Sequence, residues 1–497
     1  MYSWGPLVEK IHRAVLFKEL RIAVTFPRPG GLPGPIRSGI PLTLRNVNDF
    51  VPEKQKMDQG IDELRKLGFI LSSQGKLTAS MKCTKEAFER AFNTELKQFR
   101  LDTKENYSFY SFYLPAKRAP WRPLPILQGL IDGAHIQWPH IYMAPVPSVK
   151  PPKVNYYHLN VPKGVVDRLN ATQLHAKGVT GKDIRVAMID SGFAHESHPF
   201  FAANGYKSTV FLAGDAVDKT KDLLGHGTGE SANFFSIAPH ADFIGIKIAS
   251  DDLAEMLNAS PASMLDGFIT ARNQNPHIIS ISIASDLRDP KSTEQCSQLR
   301  EDLIAVQAEI LHAVGSGITV VAAAGNGQFG FPGMMPDVIS VGGVYVAQKD
   351  KMQASDWASA FESKIYPGRH VPDVCGLVGL KRDRYIMLPV QPGCIMDLLV
   401  SAGDQTKSDD GWAAFSGTSA AAPQVAGVCA LLKAQNPGLT PSDTKAVLRR
   451  TAKSVKRGHS NKDSSDDGRT PLPAAGLGED GATGAGLVDA FRAWKQV

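Results

Sequence analysis

Cysteine is scarce in this 497-residue chain, and the five present (Cys83, Cys296, Cys375, Cys394 and Cys429) are scattered, with no CxxC or Cys/His spacing among them. An odd, dispersed set argues against a disulfide framework, leaves at least one thiol free and offers no zinc-type ligand cluster. Charge of one sign is equally thin. The net +6 is spread along the sequence without a basic run or an aromatic ladder, which gives nucleic-acid binding no support. No apolar stretch reaches membrane-spanning length, so no membrane partner is expected. The first twenty residues, MYSWGPLVEKIHRAVLFKEL, carry charges throughout rather than an apolar run followed by small residues. No secretory signal is visible in them, and if this start is the true one the expected location is cytoplasmic.

What is present reads as an ordinary globular composition, 43% hydrophobic and 21% charged. The length leaves room for one large domain of roughly 300 residues and a second, smaller one. Leu20 to Phe26 (LRIAVTF) predicts a strand and RPGGLPGP after it a loop. Between Lys54 and Leu67, apolar Met57, Ile61, Leu64 and Leu67 recur at helical spacing. FILSS and KLTASM predict short strands, CTKEAFERAF a helix with Phe88 and Phe92 on one side, and LKQFRL a further strand. The stretch from Pro139 to Gly164 is Pro-rich, and stiff exposed segments of that kind suit domain boundaries and proteolytic nicking. The expected organisation is a small α+β domain over 1–138, a linker over 139–160 and a larger domain over 161–497.

From Val161 onward DIRVAMID, ADFIGIKIA, HIISISIAS, GITVVAAAGN and DVISVGG are short apolar runs separated by helical or loop segments. Runs apolar on both faces predict a mostly parallel sheet covered on each side, a three-layer α/β domain. In such sheets chemistry gathers at the carboxyl ends of the strands. Thr440-Pro441-Ser442-Asp443 predicts a late helix, with Thr440 as its cap and Pro441 at its first position.

Ser419 stands in GWAAFSGTSAAAPQVAGVCALLKAQNP, where Gly417 lets the chain bend sharply just before a helix apolar all round. Pro423 fits a first helical turn, whose amides have no partner inside the helix. A hydroxyl at a helix N-terminus sees the positive end of the dipole, which suits a nucleophile that develops negative charge on its target. Taken alone, Ser419 would read as an N-cap. Asp190 ends the apolar run Ile184–Asp190, where alone it would read as a turn cap. His226 lies between Gly225 and Gly227 in LLGHGTGES, with Thr228 placed to cap the helix SANFFS. Asn326 follows the strand Ile318–Ala324, and Gly325 and Gly327 allow a turn that presents its amide. A serine hydroxyl is a weak nucleophile at neutral pH, so an imidazole has to take its proton and a buried carboxylate has to orient that imidazole. Aspartate, histidine, serine is also a recognisable chain order for such a set.

VAMIDSGFAHESHP, GHGTG with IAPHADFIGIKI downstream, AAAGN and FSGTSAAAP together resemble the subtilisin family of serine peptidases over about Val161 to Val497. The resemblance implies Asp190, His226 and Ser419 as triad and Asn326 as oxyanion donor. It implies His277–Ser285, with Ser282, Ile283 and Ala284 at its end, as the strand to which substrate backbone adds, and Ala322 to Gly325, with Ala323, Ala324 and Gly325, as the wall of the P1 pocket. The N-terminal unit is similar to the propeptides of subtilisins and of their relatives the sedolisins, which implies an intramolecular inhibitor cut off in or just before the Pro-rich join. The implied partners are protein or peptide substrates and the chain's own N-terminal domain. No cofactor is implied beyond structural calcium, whose ligands a single sequence does not reveal. Gly229 after HGT, Ala284 on the substrate strand and the long segment from Val344 to Asp410 depart from the family's usual pattern. Two other readings stand beside it: an acid peptidase of the sedolisin type, suggested by the N-terminal unit and by GTS although that family has Glu and Asp where this chain has His226 and Asn326, and a catalytically silent binding protein on the same fold. Relatives of this family are mostly exported.

Overall fold

Leu20, Ile22 and Val24 alternate with Arg21, Ala23 and Thr25, and this period of two decides where both faces of the N-terminal unit go. The computed structural model describes residues 19–102, 109–115, 123–137, 141–142, 157–252, 264–289, 294–347, 351–380, 385–404, 406, 410–460 and 472–497. The unit runs β1 (Leu20–Thr25), α1 (Lys54–Lys66), β2 (Ile70–Gln74), β3 (Thr78–Cys83), α2 (Lys85–Phe92), β4 (Leu96–Asp102), β5 (Phe109–Pro115) and β6 (Gly133–Ile136). β4 and β5 form their own antiparallel pair, and the remaining strands form one antiparallel sheet in the order β2-β3-β1-β6. On one face Leu20, Ile22 and Val24 pack with Met57, Ile61 and Leu64 of α1 and with Phe88 and Phe92 of α2. On the other, Ala23 joins the core of the larger domain.

Two short strands follow, β7 (Ile141–Tyr142) and β8 (Tyr157–Asn160). The larger domain then runs β9 (Arg185–Asp190), β10 (Ser208–Leu212), α3 (His226–Ile237), β11 (Asp242–Lys247), α4 (Met264–Asn273), β12 (Ile278–Ile281), β13 (Ile283–Asp286), α5 (Glu301–Gly315), β14 (Thr319–Ala323), β15 (Gly330–Phe331), β16 (Ile339–Val346), β17 (Met352–Ala354), β18 (Val374–Leu377) and α6 (Thr418–Gln435). Its main sheet has the order β10-β11-β9-β12-β14-β16-β17, with β18 also on β16, and β17 is its one antiparallel member among the described strands. Alternation splits its side chains between two cores. Val186, Met188, Val321 and Ala323 lie with α3 and α6, whereas Ala187, Ile189, Val320 and Ala322 lie with α4 and α5. The N-terminal sheet rests on the outer side of α4 and α5, so five layers stack in all.

From β9 the chain builds outward to β10 and β11, then returns through α4 to the opposite side of β9 as β12. The direction of winding therefore reverses between β9 and β12, and a crevice opens outside their carboxyl ends. Two expectations need correcting here. The strand expected over His277–Ser285 breaks at Ser282: β12 belongs to the main sheet, while β13 leaves it to pair with β15 on one side and β7 on the other. Four residues of the expected linker, Tyr157–Asn160, are β8, hydrogen-bonded in parallel to Tyr385–Pro389 of the larger domain. The rest of 139–160 apart from β7 lies outside the described residues. All five cysteines are free thiols.

Candidate active site

Asp190 is the last residue of β9 and His226 the first of α3, and both side chains are fully buried. His226 Nδ1–H donates to Asp190 Oδ1 at 2.6 Å, and the Ser191 amide donates to the same oxygen at 2.7 Å. The histidine is held there by a second carboxylate, Asp222. Its Oδ2 accepts from the Thr228 amide at 2.9 Å and its Oδ1 accepts from Ser191 Oγ at 2.8 Å and from the Gly225 amide at 3.0 Å. Ser191 Oγ in turn accepts from the Gly227 amide at 2.9 Å. Asp222 thus caps the helix from outside it, as short acidic side chains do at orphan first-turn amides. Thr228 is inside the helix rather than at its cap, which falls on Gly225, three residues earlier than expected. Gly225 has φ 86, and a Cβ there would fall 2.3 Å from Cys394 Sγ, so both its conformation and its surroundings require glycine.

Ser419 is the second residue of α6, entered through Gly417 at φ 122. Pro423 lies beyond the first turn, contrary to the expected placing, and this has a consequence. With no amide at Pro423, the Ser419 carbonyl loses its partner four residues on. Ser282 Oγ donates to it instead, at 3.1 Å, and Ser419 Oγ donates back to the Ser282 carbonyl at 3.1 Å. The break between β12 and β13 is therefore the point at which the main sheet grips the serine turn.

The helices bearing His226 and Ser419 run side by side and in the same direction. Asn233 Oδ1 accepts from Gln424 Nε2 at 3.1 Å, and one turn on Gly427 lies so close to Ile237 that a Cβ would fall 2.8 Å from the Ile237 Cβ. Counting both helices back from these contacts brings His226 level with the turn at Gly417 to Ser419. The Asn326 side-chain oxygen accepts from the Thr418 amide at 2.8 Å, and the Thr418 hydroxyl accepts from the Gly325 amide at 3.1 Å. With its oxygen engaged by Thr418, the donor end of the Asn326 side chain is its NH2. Ala323 ends β14, and Ala324 N–H donates to the Val341 carbonyl at 2.9 Å. Gly333 and Gly330 cover these carbonyls so closely that a Cβ would fall 2.3 Å from the Ala323 oxygen and 2.7 Å from that of Ala324.

Ile283 and Ala284, assigned from sequence to substrate backbone, are already paired. β7 runs antiparallel to them, Ala284 opposite Ile141 and Ile283 opposite Tyr142. The N-terminal unit is also fastened from behind. Arg21, 2% exposed, bonds Asp266 of α4 at 3.2 Å and also reaches Asp215, which Lys82 shares. Ser73 Oγ donates to Asp266 at 2.5 Å, and Thr78 Oγ1 donates to Glu309 of α5 at 2.9 Å. Burial pushes the Asp266 and Glu309 carboxyls up, and Arg21 on the one and Arg272 on the other pull back down. For Asp215 burial acts the same way, but Arg21 and Lys82 win and hold it low. Among the described residues no three His, Cys, Asp or Glu side chains gather as a metal site.

A parallel α/β sheet with an acid, an imidazole and a serine hydroxyl at its carboxyl rim defines the subtilisin-like class. The chain belongs to the Subtilase family (peptidase S8), whose profile matches residues 181–478. It is similar to alkaline elastase YaB of Bacillus sp. (strain YaB), 26% identical over 304 residues, with 59% of this chain and 65% of the elastase covered. It is also similar to subtilisin Savinase of Lederbergia lenta, 25% identical over 308 residues, with 60% of this chain and 93% of that one covered. The chain thus spans just under two thirds of the length of the elastase. Among solved structures it aligns with fervidolysin from Fervidobacterium pennivorans, a keratinolytic enzyme related to subtilisin. The TM-score is 0.57 at 15% identity, over 96% of this chain and 61% of that one, a likeness of fold that extends through the N-terminal unit.

Sequence reasoning missed Asp222, Ser191, Thr418, Gln424 and Glu230. An acid four residues ahead of His226 was visible as a remote cap, Gln424 as a polar residue inside an apolar helix, and Glu230 as an acid one turn beyond His226.

Proposed function

We propose that this chain is a serine endopeptidase that cleaves peptide bonds through an acyl-enzyme, with Asp190, His226 and Ser419 as its triad. The observation that carries the reading is the buried 2.6 Å contact of His226 with Asp190, on a helix brought level with Ser419. Ser419 Oγ attacks the scissile carbonyl carbon and its proton passes to His226 Nε2. Asp190 fixes the ring through Nδ1 and stabilises the imidazolium. The oxyanion is held by the Ser419 amide, at the positive end of α6, and by the Asn326 NH2. The proton then leaves with the amine, and water hydrolyses the ester by the same route. Protein or peptide substrates add to β13, with Ser282, Ile283 and Ala284 taking their backbone and Ala323, Ala324 and Gly325 walling the first pocket. A phosphonate that reacts with activated serines should label the mature chain at Ser419; label on a different serine, or none, would end the reading. Asn326→Ala should lower kcat by about 10²- to 10³-fold with KM little changed, the usual loss for one oxyanion donor.

The same reading makes 1–138 a propeptide-like inhibitor, 139–160 the join that is cut and 161–497 the peptidase. Its support is β7, which occupies the edge of β13 that substrate would use. Along β7 the pairing moves from Ala284 to Ile283, toward Ser282, whose carbonyl touches Ser419 Oγ. At roughly 3.3 Å per residue the scissile bond falls about one to three residues after Tyr142. N-terminal sequencing of the mature chain should therefore begin close to Ala144; a start before Ile141 would contradict the register.

A further inference from the structure

One turn beyond His226 on the same helix, Glu230 is fully buried, and its Oε1 comes 4.0 Å from His226 Nε2. That nitrogen is the one not bonded to Asp190. Glu230 Oε2 accepts from Asn233 Nδ2 at 2.8 Å, whereas Oε1 has no hydrogen-bond partner. Beyond Asn233, Gln424 of α6 is clamped to β18, its Oε1 accepting from the Leu377 amide at 2.7 Å and its Nε2 donating to the Leu377 carbonyl at 3.1 Å. Swinging the carboxylate away would cost it the bond from Asn233, which is itself held across the helices by Gln424. A buried carboxylate oxygen with no donor is costly unless an opposite charge comes to it. In this site one does come, each time the imidazole is protonated.

We propose, on the reading of Asp190, His226 and Ser419 given above, that Glu230 is a positioning residue, a second buried carboxylate that steadies the His226 imidazolium from its Nε2 edge while Asp190 holds it from Nδ1. In the step it serves, the Ser419 O–H bond breaks, the proton bonds to Nε2, and the Oγ electron pair forms the bond to the substrate carbonyl carbon. Glu230 takes no proton in this step. Burial pushes it up to about 8, so its charge is present above that pH, where it favours the protonated ring, makes His226 a stronger base and moves the pH at which that base becomes available upward. Burial alone would lower His226, but the Asp190 charge and hydrogen bond, with smaller pulls from Glu230 and Asp222, raise it to about 9. The groups facing the ring are Asp190 from β9, Asp222 from the loop ahead of α3 and Glu230 from α3. Helix α6 contributes the neutral Ser419 and Gln424, and the Cys394 thiol behind Gly225 is kept protonated by burial.

The test is the pH profile of phosphonate labelling at Ser419, and of kcat/KM on a peptide substrate, in active preparations matured from the full-length parent and from full-length Glu230→Gln. The acid limb should move to lower pH by about one unit or more, the size of shift an opposite charge within 4–6 Å produces. KM should change little. An unmoved limb overturns the proposal, even if the rate falls uniformly. If the amide lowers the yield of folded protein, Glu230→Asp keeps the charge but withdraws it from Nε2. A limb displaced toward acid by less than in Glu230→Gln supports the proposal, and an unmoved one overturns it. Label that survives Ser419→Ala would defeat the triad itself, whichever way the Glu230 variants behave.

Discussion

Ser419→Ala is expected to leave a folded chain that hydrolyses casein about 10⁶-fold more slowly than the parent, the loss that removing a subtilisin nucleophile produces. The fold should survive because the hydroxyl's bond to the Ser282 carbonyl, at 3.1 Å, is worth about 1 kcal/mol net. The reciprocal bond from Ser282 Oγ to the 419 carbonyl needs no side chain at 419 and stays. The variant should also remain uncut, since the bond near Ala144 would have lost its only attacker in cis. Steady-state rates and intact mass measure both effects together. Turnover within tenfold of the parent, or a normally processed chain, would remove Ser419 from the mechanism.

Arg21→Ala should loosen the N-terminal unit by about 3 kcal/mol, roughly a hundredfold in affinity once the join is cut. The guanidinium is 2% exposed and answers Asp266, itself 1% exposed, as well as Asp215. Removing it takes away the guanidinium that answers the buried Asp266 and leaves that carboxylate on hydroxyls such as Ser73, while Lys82 still covers Asp215. That places the effect at the lower end of what breaking a buried pair costs. The measurement is made in a Ser419→Ala background nicked with an added protease within 139–160. The N-terminal fragment should co-elute with the larger domain when Arg21 is present and separate from it when Arg21 is replaced. Equal retention of the two would mean that the apolar contacts of Ala23, Leu42, Val47 and Phe50 hold the unit without the ionic patch.

The strands were legible because a period of two, or an unbroken apolar run, reports burial directly. Asp190, His226 and Ser419 were legible because each sits where a buried element ends, and such junctions leave signals in glycine and short polar residues. What escaped depended on partners remote in the chain. The start of α3 was misread because its cap, Asp222, lies outside the helix and Thr228 mimics a cap from within. The break at Ser282 was hidden because HIISISIAS alternates Ile and Ser without a glycine or proline to interrupt it, and β7 and β15, contributed from either side, draw β13 away. The ionic fastening of the N-terminal unit was illegible for the same reason: Arg21 meets Asp266 across 245 positions, and neither residue has a local signature.

The N-terminal unit grips the larger domain at two separated places, a broad patch on the outer helices and a short ribbon along β13. Because both belong to one body, scission of the join on the proposed reading would remove neither contact and would only make departure possible. The ribbon remains at high local concentration over the crevice for as long as the patch holds. Latency should therefore outlast scission and be insensitive to dilution at first, ending when the patch lets go or is digested.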